Sequence, residues 1–362
     1  MKKIYYITAV FATLFLVGCG DGIDLPGVNV ETDLNKIPLP DNNVNLEQVE
    51  LKPSTEPMLH EGLHTEEDFQ RIRDKKAAGE EPWVSAYQLL VESQFSQKTA
   101  DTYPTEWIKR GVSGDENYMN AARGATIAYQ QALRWKIEQD DEYAAKAVEN
   151  LNKWVQTCVG VTGNTNLSLA AGLYGYEFAI AGELLRDYGG WDRADFAAFQ
   201  NWLLKVFYPA NDDFLKRHHD TNALHYWANW CLCNIAAKMA IGIVTDRRDI
   251  YNEGIAHLQT GDTNGRLRRA IYHDYAPDYN FAQWQESGRD QGHTLMCVGL
   301  MGIICQLAWS QGDDFFAYDD NLFLRACEYA ACCNYTNETV PYTTYIWQKQ
   351  SQWGYPIPEE QT

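Results

Sequence analysis

From Thr65 to Asn334 the apolar residues recur roughly every 3.6 positions in segment after segment, and almost nowhere at the two-residue period of a strand. Such a chain must bury one stripe of each helix against other helices, which restricts it to bundles, solenoids or rings of helical hairpins. Local signals mark the boundaries. Thr65 and Asp68 form a capping box for a helix through Arg73, and Pro82-Trp83 opens another through Phe95. Further helices are expected over 118–139, 142–157, 167–188, 194–207, 222–243, 249–258, 266–272, 288–310 and 321–334, with one short strand near 340–347. Paired helices joined by short Gly, Asp and Asn loops suit an all-α toroid of hairpins. A solenoid or a bundle is the general alternative, and the irregular lengths show no fixed repeat.

The first residues read differently. Met1-Lys2-Lys3, an apolar stretch over 4–17 and the small residues before Cys19 make a signal peptide, too short for a membrane span. Leu16-Val17-Gly18-Cys19 resembles a bacterial lipobox, which implies removal of 1–18 and a lipid anchor in the membrane at Cys19. Residues 19–57, rich in Asp, Asn and Pro, are expected to tether a domain spanning 58–362. The implied location is that of an exported lipoprotein, in the outer membrane or periplasm of a Gram-negative bacterium.

With 12 Trp, 22 Tyr and 13 Phe the chain is unusually aromatic; most of these rings are expected in the core, and any beyond it suit sugar-stacking surfaces. A formal net charge of −19 argues against nucleic acid as a partner. An anionic ligand would therefore need a locally basic cleft, for which Lys216 to His219 and Arg266 to Arg269 are sources. The eight cysteines beyond Cys19 form no Cys-x-x-Cys pair and fall mostly in apolar helical runs, so buried thiols are expected. His218, His219 and Asp220 lack the tight spacing of metal ligands; neither metal nor cofactor is expected, and the protein is read as a monomer.

Two polar segments stand out. Gln285 to His293 precedes the most apolar helical run, and Ser287 with Asp290 has the pattern of a capping box. Arg289 would then lie in the first turn and His293 on the same face, beside the positive end of the helix dipole, an arrangement suited to a carboxylate. A plain polar cap is the simpler reading. The second segment is Asp220 to Trp227, in which Asn222 and His225, three apart, would share a helix face.

The order of several motifs resembles the alginate-lyase-like family of exported bacterial polysaccharide lyases. They are Leu63 to Phe69 with Arg71-Ile72-Arg73 and Pro82-Trp83, Trp135-Lys136-Ile137 with Asp141 to Ala144, Ala147 and Trp154. Ala181 to Leu185, the Gln285–His293 segment and Ala308-Trp309 complete the series. The resemblance implies an incomplete (α/α) toroid that cleaves uronic-acid polysaccharides, of alginate or glucuronan type, by β-elimination. The C5 proton of a uronate is very weakly acidic beside a charged carboxylate, so that carboxylate must be neutralised before a base removes the proton and an acid protonates the leaving oxygen.

In that family an Asn-Asn-His-x-Tyr-Trp motif and a Glu-x-x-Arg motif hold the carboxylate. By this resemblance His225, Asn222, Glu286 and Arg289 take those parts, although His225 directly precedes Tyr226-Trp227 and Asn222 is not adjacent to it. The family's tyrosine two turns after the arginine is absent, for the stretch reads Leu295-Met296-Cys297. His293 or a tyrosine from elsewhere must then transfer the proton. Tyr279 is the expected base or acid, with Tyr272, Tyr275 and Arg269 as substrate contacts and Arg289 or Arg269 lowering the phenol pKa. Two other functions stay open: an inverting glycoside hydrolase using two of Glu286, Asp290, Asp220 and Asp278, and a non-catalytic glycan-binding lipoprotein.

Overall fold

A computed structural model describes residues 49–336, 339–350 and 356–361. The expected signal peptide, Cys19 and the tether up to residue 48 lie outside the described residues. The rest of the expected tether is not loose. Gln259 bonds both backbone groups of Val49, at 2.8 and 3.0 Å, and Arg248 donates to the carbonyls of Glu56 and Pro57.

Twelve helices occur among the described residues: α1 (Glu66–Ala77), α2 (Trp83–Glu92), α3 (Tyr118–Glu138), α4 (Asp141–Thr157), α5 (Leu167–Leu184), α6 (Arg193–Val206), α7 (Tyr208–Arg217), α8 (Ala228–Val244), α9 (Arg248–Thr260), the short α10 (Leu267–Ala270), α11 (Gln291–Ser310) and α12 (Tyr318–Tyr335). The helices α3, α5, α8 and α11 pack in sequence as an inner arc, and α4, α6, α7, α9 and α12 lie against its outside. Inner helices should be apolar all round and outer ones striped. Accordingly, nearly every residue of α5 and α8 is buried, whereas α4 buries one face through Tyr143, Ala147, Leu151 and Trp154. The arc tightens where α5 meets α8. A Cβ on Gly172 would stand 2.5 Å from the Cys233 sulfur and 2.9 Å from its backbone carbon, so only glycine permits this approach.

Thr65 and Asp68 do form a capping box. Elsewhere the boundaries move for visible reasons. Residues 222–227, expected as helix, form turns: His218, His219 and Asp220 sit in the left-handed region (φ 47°, 51° and 61°), and the Asn222 side chain accepts from the Leu224 N–H at 2.8 Å. Asn222 and His225 therefore share a turn rather than a helix face. The cap of α11 is Asp290, which accepts the Gly292 and His293 N–H groups, and not Ser287, whose hydroxyl lacks a partner. Arg289 consequently precedes the helix. The expected helix 266–272 is only α10, because Ile271–Asp274 (β3) pairs antiparallel with Ala282–Trp284 (β4).

Two more small sheets occur: a parallel pair, β1 (Trp107–Arg110) and β2 (Gly160–Gly163), and an antiparallel pair, β5 (Tyr345–Gln350) and β6 (Pro356–Gln361). The strand expected near 340–347 is β5, begun later. All eight described cysteines are free thiols, five of them buried.

Candidate active site

The polar segment before α11 folds around Glu286, which is wholly buried. Its carboxylate receives the Arg289 guanidinium, with Nε at 3.0 Å, and the backbone N–H of Asn229 at the start of α8. Burial pushes the Glu286 carboxyl up, against the pull of Arg289 and His293. Gln285 beside it accepts the Ala228 N–H at 2.8 Å. The beginnings of α8 and α11 thus meet at one place, two positive dipole ends in an acidic protein. His293, in the first turn of α11, directs Nδ1 to the Asp290 carboxylate at 2.7 Å.

Trp227, the last residue before α8, joins the two expected segments. The Arg289 guanidinium carbon lies 4.6 Å from its ring centre. Its other ring neighbours come from the C-terminal strand: Trp347 at 4.7 Å and Tyr345 at 5.8 Å. Trp347 also stacks on His225 at 6.3 Å and donates its indole N–H to the His225 carbonyl at 2.7 Å. The Asn222 amide donates to the Gln348 carbonyl at 3.1 Å, so here it ties down β5. Arg289, His225 and Asn222 are brought to one cluster, with Trp227 and Trp347 between them.

The tyrosines divide. Tyr279 is 55 % exposed, and its ring meets Tyr275 edge-on at 6.5 Å; none of its described contacts joins it to Arg289. Tyr275 donates to Gln283 at 2.6 Å and contacts the Thr343 hydroxyl at 3.1 Å. Tyr272 donates to the Thr344 carbonyl at 3.3 Å and packs edge-on against Tyr345 at 4.8 Å. Tyr345 is buried, accepts a bond from the Gln285 amide, and lies within electrostatic reach of Glu286 and Arg269. Arg269 itself donates to the Asp262 carbonyl.

Sequence reasoning passed over Tyr345 and Trp347 as site residues, and named Gln285 and Trp227 only as parts of motifs. The alternation of Tyr345 and Trp347 within the one expected strand is the signal that could have found two of them. His218 and His219 serve packing: His218 stacks on Phe214 at 4.6 Å and is held neutral by burial, its pKa pushed down to about 3, and His219 bonds Ser168 at 3.0 Å. Among the described residues no group of three His, Cys, Asp or Glu side chains is placed to hold a metal ion.

A helical toroid whose inner helices open onto arginine, imidazole and indole groups is the make-up of a polysaccharide lyase. The family model for alginate lyase matches residues 72–338, and the chain belongs to that family. It is a polysaccharide lyase with the (α/α)-toroid fold. The fold is similar to that of alginate lyase A1-III from Sphingomonas species A1, with a TM-score of 0.53 at 13 % identity over 76 % of this chain and 80 % of that one. An alginate lyase from Bacteroides ovatus gives a TM-score of 0.53 at 15 % identity, over 71 % of this chain and 78 % of that one. A variant of alginate lyase A1-III complexed with tetrasaccharide gives 0.52 at 14 % identity, over 78 % and 82 %. No curated protein sequence matches the chain.

Proposed function

We propose that this lyase cleaves a uronic-acid polysaccharide, of alginate or glucuronan type, by β-elimination at the cluster around Arg289. The carrying observation is that Arg289 is held by a buried carboxylate on one side and lies against Trp227 on the other. A sugar ring on the indole would bring its carboxylate to the guanidinium and the two helix starts, which withdraw charge from C5. His225, stacked on Trp347, completes the carboxylate pocket, while Asn222 holds β5 in place beside it.

His293 is the base. Asp290 holds its Nδ1–H, so Nε2 is the basic nitrogen, and the carboxylate stabilises the imidazolium once the proton arrives. Tyr279, exposed on its loop, has the part of an outlying sugar platform, and Tyr272, Tyr275 and Arg269 line the approach. Incubating the protein with alginate and glucuronan, and following the ultraviolet absorbance of unsaturated chain ends, tests this reading. Reducing ends without that absorbance would mean hydrolysis, and binding without product would mean a glycan-binding protein.

The chain is further proposed to act as a monomer anchored through lipidated Cys19 in the outer membrane or periplasm, a reading supported by the lipobox-like Leu16-Val17-Gly18-Cys19. Labelled palmitate should enter the wild type and not Cys19→Ala; equal labelling refutes the anchor.

A further inference from the structure

We propose that Tyr345, carried on β5, is the catalytic phenol of this site and gives its proton to the departing glycosidic oxygen. The assignment rests on the β-elimination reading above. It begins from place. The Tyr345 ring lies 5.8 Å from that of Trp227, the same indole that bears the Arg289 guanidinium at 4.6 Å, and 4.8 Å from that of Tyr272. Of the tyrosines considered, it is the one that contacts the indole between the clamp and the strand.

Fixation is the second argument. Gln285, next in sequence to the buried Glu286, donates to the phenolic oxygen and at the same time caps α8 through the Ala228 N–H. One amide thereby sets the phenol relative to both helix starts. Upstream, the fully buried Gln283 bonds the N–H and the carbonyl of Thr343 at 2.9 and 2.8 Å, which clamps the chain entering β5. Tyr345 and Trp347, two apart on a strand, face the same way. Trp347 is fixed by its bond to the His225 carbonyl, which sets the register at the far side of Tyr345. A group positioned from three sides is what proton transfer to a particular atom demands.

The chemistry agrees. Burial pushes the Tyr345 phenol up, so at neutral pH it carries the proton that an acid must hold. Arg269 lies within electrostatic reach to steady the phenolate for the moment it exists. The step balances: His293 Nε2 takes the C5 proton, the C5–H electron pair becomes the C4–C5 double bond, and the C4–O bond breaks. The leaving oxygen takes the Tyr345 proton, and the imidazolium proton returns to the phenolate through solvent. The other tyrosines are occupied or remote, for Tyr272 donates to Thr344, Tyr275 to Gln283, and Tyr279 is exposed.

The test is Tyr345→Phe in the full chain, assayed by ultraviolet absorbance on whichever uronate polymer the wild type cleaves. The expected result is a kcat lowered about a hundredfold or more, with KM within a few-fold and an unchanged thermal midpoint. Gln285→Ala, which keeps the phenol but removes its holder, should lower kcat more than it raises KM; it decides the matter if Tyr345→Phe does not fold. An active wild type with Tyr345→Phe within about threefold, or with Gln285→Ala unaltered in kcat, overturns the assignment alone. A folded wild type producing no unsaturated ends overturns the proposed function as well.

Discussion

Glu286 and Arg289 form an ion pair in which the Glu286 side chain is fully buried while the Arg289 side chain keeps 23 % of its surface exposed. The asymmetry fits a clamp. A guanidinium has five donors in a planar fork; Glu286 occupies part of the fork from inside, and the exposed remainder can face a second carboxylate.

Arg289→Ala should therefore reduce kcat/KM by about 100- to 1,000-fold, the size of effect seen when a preorganised donor to a developing anion is removed. Arg289→Lys should rescue little of it, since an ammonium cannot serve both partners in one plane. Thermal melting and steady-state kinetics of both variants check this. Lysine restoring near wild-type rates would show that charge alone suffices.

Glu286→Gln keeps the shape but leaves Arg289 without its counter-charge. Activity should fall, with the loss expressed more in kcat than in KM if Glu286 orients the guanidinium for the transition state. A variant whose only change is a higher KM would place Glu286 in ground-state binding.

The fold should be most stable in mildly acidic solution. Glu177, on the inner helix α5, has a carboxylate oxygen without a partner, and burial pushes its pKa from an ordinary 4.5 up to about 8. Its protonated form favours the fold, so the contribution is full below 4.5 and is lost as pH rises through 8. Burial acts the opposite way on imidazoles: His64 and His257 fall from 6.5 to about 4. Their neutral forms favour the fold, so that stability is present above 6.5 and lost as pH falls through 4. Melting curves across this range should show Glu177→Gln abolishing much of the alkaline decline while leaving the acid decline in place.

Gly172→Ala tests the inner arc. With the Cys233 backbone in the way, α5 and α8 must separate, at a cost of about 1–3 kcal/mol and a thermal midpoint several degrees lower. Gly79, where nothing lies near a Cβ but φ is +69°, should respond to alanine through backbone strain alone. Equal melting of wild type and Gly172→Ala would mean that the helices are not in this contact.

How much of this was legible beforehand follows the physics of each element. An outer helix such as α4 announces itself by its period, because burial of a stripe leaves its mark every turn. The first turns of the supposed helix at 222 did not, because Asn222 bonds its own backbone and the left-handed residues before it act locally against the apolar pattern. Arg289 and Glu286 were readable as a spaced pair. Tyr345 and Trp347 showed only as strand alternation; their place at the site did not, since their partners Gln285, Trp227 and His225 lie far away in sequence.

The most direct measurement is the product. With alginate, glucuronan and a neutral glucan as substrates, the account predicts ultraviolet-absorbing unsaturated ends from at least one uronate polymer and none from the neutral one, with the signal lost in Arg289→Ala. Cleavage of the neutral glucan, or new reducing ends from a uronate polymer without the absorbance, would contradict it.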